Sequence, residues 1–330
     1  MNAISYHDTV GKLQAPDFAP RGPFDTLEWY ALLEKHGARP VLAEVRKGAT
    51  RLVFPLRESE DREGMTSLRH PFAFVWQPLA LSGEASDAAL VSTARALRGR
   101  THRIVLDALP GEDATGERLA AAFRKAGWIV RLEQSDQNHV LETGGRSFAE
   151  YWASRPGPLR TTVKRKAKKV EIAIVEHFDA ATWAEYRRIY DLSWKTRETD
   201  IALLQDFAQQ ESAAGRLRLG IARHGDAAVA AQLWSVQHGT AYIYKLAHDE
   251  AFRHLSAGTT LTAALFKHVI ERDKVALIDF GTGDDAYKRD WMERVRVRHA
   301  LTCVDPQQWR GLRFLMRKTA ARLARPRRQG

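Results

Sequence analysis

The sequence predicts an α/β (α+β) protein of two tandem domains, each a mixed, mostly antiparallel sheet flanked by helices. Three observations lead there. A chain of 330 residues exceeds one ordinary domain and fits two of about 150–170 residues, each able to bury its own core. Its 44% hydrophobic and 28% charged residues, with nine Trp, are the composition of a folded globular protein. Helical and strand patterns alternate in both halves, and the second half runs α, β, β, β, α, β.

Near the start, Asp25 is placed to cap a short helix whose apolar residues recur at three and four. Residues 41–45 and 51–56 alternate around Lys47-Gly48 and read as a hairpin. Residues 87–98 have helical spacing, 102–106 form a β-rich run, and 114–126 read as a helix closed by Gly127. A strand at 140–142 ends the unit, and Thr143-Gly144-Gly145 leads to a new helix opened by Ser147, with Glu150 three residues on. The domains are therefore drawn at 1–143 and 144–305. The second contains a helix at 182–197, strands at 217–223, 228–237 and 241–247, a helix at 257–272 and a strand at 276–280.

No apolar run approaches the roughly 20 residues that span a bilayer, and residues 1–20 lack a secretory pattern, so a cytoplasmic protein is expected. The single cysteine, Cys303, rules out an internal disulfide and a multi-thiolate metal site, and its strand-like surroundings suit a buried inert thiol more than a nucleophile. No His, Asp and Glu set has metal-ligand spacing, so neither a metal nor a permanently bound cofactor is expected.

The net charge of +11 is concentrated. From Arg294 onward there are eleven Arg or Lys and one acid, Asp305, which leaves +1 for everything before. No zinc-finger, RNP or homeodomain pattern accompanies this charge, so nucleic acid is not indicated. Residues 306–330 are set apart as a basic segment. Helical projection of residues 309–325 puts Trp309, Leu312, Leu315, Met316, Ala320 and Leu323 on one arc and six cations on the other. Two readings stand: a helix docked on its domain with a solvated basic face, or one lying on an anionic membrane, which would make the protein peripheral at the inner membrane face.

Two stretches carry chemistry. Ser256, Ala257, Gly258 and Thr259 open a helix after a strand, where free backbone N–H groups can meet a pyrophosphate; an ordinary capped helix start is the alternative. Residues 278–291 break from a strand into a glycine-rich loop that gathers Asp279, Asp284, Asp285, Tyr287 and Lys288, more than a turn requires. His248, near Lys245 at the end of a strand, is a candidate acid or base or else a surface residue. The run 160–169 holds six Lys or Arg and no acid; Arg160, Lys164 and Lys168 share one helical stripe, either as a solvated face or as a contact for phosphate or an acidic partner.

The segment 148–291 resembles the GNAT-type acetyltransferase domain of CelD-like proteins, a group similar to the Fem-type transferases of peptidoglycan cross-bridges. The basic run 160–169, Ser256-Ala257-Gly258, and Asp279-Phe280-Gly281 with Tyr287, Lys288 and Trp291 carry the resemblance. It implies tandem GNAT domains, with 1–143 degenerate and 144–305 the acyltransferase. It also implies N-acylation of an amine on a cell-envelope sugar, peptide or lipid, with acyl-CoA as co-substrate. Asp284 or Asp285 would then act as base and Tyr287 as acid. Lys288 would hold an anionic group and Asp279 would orient the loop. Ser256 to Thr259 would take the CoA phosphates, and Lys245, His248, Trp291, Arg160 and Lys164 would face substrate. The segment from Arg253 to Gly258 departs in spacing from the Gln/Arg-x-x-Gly-x-Gly/Ala pyrophosphate signature of many GNAT enzymes. An aminoacyl-tRNA donor and a non-catalytic binding module are the other readings.

Overall fold

The computed structural model describes residues 3–15, 18–193, 200–314 and 316. The chain divides into two compact units, residues 1–136 with 297–330, and residues 137–296. This partition differs from the expected 1–143 and 144–305, because the strand after Arg294 returns to pair in the first unit.

The first unit contains β1 (Ala3–His7), α1 (Leu27–Lys35), β2 (Val41–Lys47), β3 (Thr50–Glu58), β4 (Met65–Ser67), β5 (Leu79–Ser82), α2 (Asp87–Leu97), β6 (Arg103–Pro110), α3 (Thr115–Lys125) and the start of β7 (Ile129–Glu142). Its strand order is β1-β2-β3-β4-β6-β13, with β5 also on β3. Here β13 is Arg294–Val304, paired antiparallel to β6. The pair β4 and β6 is parallel, and the intervening chain carries α2 over the sheet, as a parallel connection needs. Thr26 caps α1, accepting from Trp29 N. Asp25, the expected cap, is buried instead and accepts from the N–H groups of Arg21 and Gly22 and from Gln77. Cys303 is fully buried in this core, and burial pushes its thiol well above the usual range, which leaves it inert.

The second unit continues β7 and adds α4 (Phe148–Ala153), α5 (Gly157–Lys166), β8 (Glu171–Val175), α6 (Ala180–Asp191), α7 (Ile201–Ala213), β9 (Leu217–His224), β10 (Ala227–Gln237), β11 (Thr240–His248), α8 (Ala257–Glu271), β12 (Leu277–Thr282) and α9 (Lys288–Trp291). Its strand order is β7-β12-β11-β10-β9-β8. Only β11 and β12 pair in parallel among the described pairs of this unit, and α8 is their crossover. Ser147 and Glu150 close a capping box at α4. The expected helix at 182–197 ends at Asp191, and residues 194–197 lie outside the described residues. A further helix, α7, follows where none was predicted.

Strand alternation on β10 sorts the two faces of this sheet. Gln232 and Trp234 point to α8, bonding Thr262 and packing edge-on to Phe266, whereas Ser235 donates to Glu211 of α7. On the α8 face, Leu261, Leu265, Phe266 and Val269 are wholly buried against Trp234, Tyr151 and Trp291. The helix comes close to β9 because Gly220 has no side chain: a Cβ there would lie 2.9 Å from Leu261 Cδ1 and 3.0 Å from Leu265 Cδ1. Gly220→Val should therefore displace these leucines and lower stability by about 1–3 kcal/mol, as read from the urea midpoint at unchanged slope.

Candidate active site

The two chemistry-bearing stretches leave the same end of the second unit's sheet, since β11 and β12 are parallel. Their ladder is short. It pairs Thr240 with Leu277, Ala241 with Ile278 and Tyr242 with Asp279, and then stops, although β11 runs on to His248 and β12 to Thr282. Each strand bulges just beyond this point. Tyr244 is an extra residue of β11 opposite β10, and β12 gains one residue against β7 between Asp279 and Thr282, with Gly281 at φ +71°. Bulges bend and re-aim strands, so the two separate at the site.

On the β11 side, a 3-10 segment (Glu250–Leu255) leads to Ser256, which adopts the left-handed conformation at φ +52° and forms no side-chain cap. The N–H groups of Ala257, Gly258 and Thr259 meet no acceptor among the described residues. The first to do so is that of Thr260, which donates to Ser256 O at 3.1 Å. An open helix start of this kind favours anions through its N–H groups and dipole. His248 stands beside it: a Cβ on Gly258 would lie 3.7 Å from His248 Nδ1, and His248 Nε2 is 3.1 Å from Glu250.

On the β12 side, buried Asp279 accepts from Asn138 Nδ2 at 3.1 and 3.0 Å and from Gly281 N at 2.8 Å. Asp284 accepts from His139 Nε2 at 2.9 Å and Arg289 Nη2 at 2.6 Å. Arg289 first and His139 second hold its carboxyl below the usual range. Asp285 is 61% exposed and stands 3.7 Å from Lys288 Nζ. Tyr287 packs edge-on to Phe280 yet stays 40% exposed, and partial desolvation of its phenol followed by the charge of Asp285 pushes it up to about 12.

Residues 154–289 match the family model of the acetyltransferase (GNAT) domain. This segment is a GNAT acetyltransferase domain. No curated protein sequence matches the chain, so comparison beyond the domain rests on folds. FemX superposes with a TM-score of 0.62 at 10% identity, over 86% of this chain and 93% of its own. The C-terminal domain of a putative lysylphosphatidylglycerol synthetase from Agrobacterium fabrum gives 0.57 at 12%, over 88% and 91%. A tandem GNAT protein from the clavulanic acid biosynthesis pathway gives 0.53 at 13%, over 91% and 98%. The fold is thus that of a tandem GNAT protein, in which β11, α8 and β12 form the heart of the matched domain.

The GNAT domain uses several predicted site residues differently from expectation. Lys288, expected to hold an anion, is buried; its ammonium donates to the carbonyls of Thr282 and Gly283 and lies 5.7 Å from the Phe280 ring centre. Trp291, expected to face substrate, is core, packed on Phe266 and Trp152. Lys245 sits over the Tyr190 ring on the α6 face, at 5.7 Å. Arg160 and Lys164 are exposed on α5 and line a cavity of about 480 Å³ with Trp152 and Thr161. Positioning residues absent from the sequence reading are Asn138 and His139 of β7, which hold Asp279 and Asp284. Gln232 is another: its Nε2 donates to Gly258 O at 3.1 Å and Thr262 Oγ1 at 2.7 Å, pinning the first turn of α8. Gln232 carries a sequence signal, polarity inside an apolar run, whereas Asn138 and His139 stand in a polar run and carry none.

Asp279→Ala should strand the Asn138 amide and Gly281 N–H and cost about 1–3 kcal/mol; hydrogen exchange should rise at residues 280–285 more than in α2. The depressed Asp284 carboxyl contributes to loop stability above the ordinary carboxylate range near 4, and that contribution is lost as pH falls through its folded value. Loop exchange protection should fall accordingly on acidification, and Asp284→Asn should remove that acid dependence.

Proposed function

We propose that the protein is an N-acyltransferase that moves an acyl group from acyl-CoA to a primary amine. The observation that carries this reading is the early end of the β11–β12 ladder, beyond which one strand leads to an unpartnered helix start and the other to a carboxylate loop. The ADP phosphates of the donor suit the N–H groups of Ala257, Gly258 and Thr259. Further countercharge comes from the segment 160–169, whose six cations meet no carboxylate within 4.0 Å among the described residues. Lys166 of that segment donates to His254 O at 2.8 Å and so lies next to the start of α8.

The amine nitrogen attacks the thioester carbonyl, loses a proton to a base, and the C–S bond breaks to release CoA thiolate. Of the two loop carboxylates, Asp285 is better suited as the base, since Asp284 is held by Arg289 and His139. Tyr287, with its phenol near 12, serves as a hydrogen-bond donor. It is a poor proton source for a thiolate whose conjugate acid titrates near about 8.5. The acceptor belongs, by the CelD- and Fem-type resemblance, to the amines of cell-envelope sugars, peptides or lipids.

The test is thiol release from acyl-CoAs of graded length with a panel of amines, alongside calorimetric CoA binding. Asp285→Asn should lower kcat by about a hundredfold or more while CoA affinity holds. Gly258→Asp should abolish CoA binding in a folded protein by placing a carboxylate at the helix start. Unchanged CoA affinity in Gly258→Asp would remove this donor site. Turnover only with aminoacyl-tRNA would assign the same cations to RNA phosphates instead.

A further inference from the structure

The chain is helical from Trp309 to Phe314 and at Met316; the remainder of the expected 309–325 helix lies outside the described residues. What is described is seated the opposite way from a docked amphipathic helix. Its inner side is Gln308, Gly311 and Phe314. Gln308 Nε2 donates to Arg98 O at 2.8 Å and Thr101 O at 3.2 Å. Gly311 is buried so tightly on the Asp305 carbonyl that no Cβ fits, and Phe314 lies under the Arg103 guanidinium at 5.0 Å. Asp305 is itself fixed by Arg98 at 2.7 Å. The outer side is apolar. Trp309, Leu312 and Met316, spaced to share one helical stripe, are 68%, 41% and 49% exposed.

Exposed Arg310 and Arg313 border this stripe, and residues 306–330 hold eight cations and no acid. An apolar strip edged by arginines, with Trp309 on it, matches an interface of hydrocarbon beneath anionic headgroups. A second copy of this chain would bring like charge against like. We propose that the Trp309/Leu312/Met316 face docks on an anionic phospholipid surface, with Arg310 and Arg313 meeting headgroup phosphates. The inference does not depend on the acyl-transfer reading.

The test is co-sedimentation of the full chain with vesicles of phosphatidylcholine alone or mixed with phosphatidylglycerol. Binding should appear only with phosphatidylglycerol and weaken with salt. It should fall by about a hundredfold or more when Trp309, Leu312 and Met316 are all changed to Ser. Arg310→Gln with Arg313→Gln should cost roughly fivefold per cation. These positions are exposed, and an unchanged melting temperature verifies that the variants fold. No binding to phosphatidylglycerol vesicles at low salt overturns the proposal. So does a triple Ser variant that binds like the parent, which would leave a polyanion contact by charge alone. A lipid-free dimer that the triple variant abolishes would assign the stripe to self-association and overturn it as well.

Discussion

The second unit depends on one buried carboxylate. Taking Asp279 out of water costs several kcal/mol unless its oxygens are matched, and Asn138 and Gly281 N–H match them. That bonding occurs at the last rung of the β11–β12 ladder, where β12 would otherwise continue beside β11. Gly281 supplies the left-handed turn, β12 gains its extra residue, and the strands diverge. The end of the β11–β12 ladder thus coincides with a hydrogen-bond requirement at a single residue.

Much of this was legible in the sequence because it is written in local pattern. The hairpin of β2 and β3, the helices α2 and α3, and the run from β9 through β12 fall close to the residues that periodicity assigns. Elements whose formation is decided at a distance were not legible. Strand β1 is short and becomes a strand by pairing with β2. Strand β7 is a long, largely polar strand of which only the end at 140–142, with Val140 and Leu141, reads as β. Helix α7 is ordered by tertiary packing of Leu203, Leu204 and Phe207, without a side-chain cap to announce it.

The candidate site divides the same way. Glycines and acids clustered at 279–288 mark a special loop because no turn needs them all. Which of them faces outward is a matter of packing. Lys288 and Trp291 look like substrate contacts as letters, and the fold turns both inward. Gln232 is a single polar letter in an apolar run, Asn138 and His139 are two more in a polar one, and the meaning of all three lies in partners up to 145 positions away.

The burial of Lys288 bears on how a protein that handles reactive thioesters would treat its own amines. A lysine exposed next to the loop would compete with the acceptor for every acyl group delivered there. Seated on Phe280 and bonded to two backbone carbonyls, the Lys288 nitrogen is out of reach of a thioester. Arg289, the next cation along, is a guanidinium paired to Asp284 and a poor acyl acceptor. Under the proposed acyl transfer, the loop would keep positive charge at hand while its own lysine stays buried.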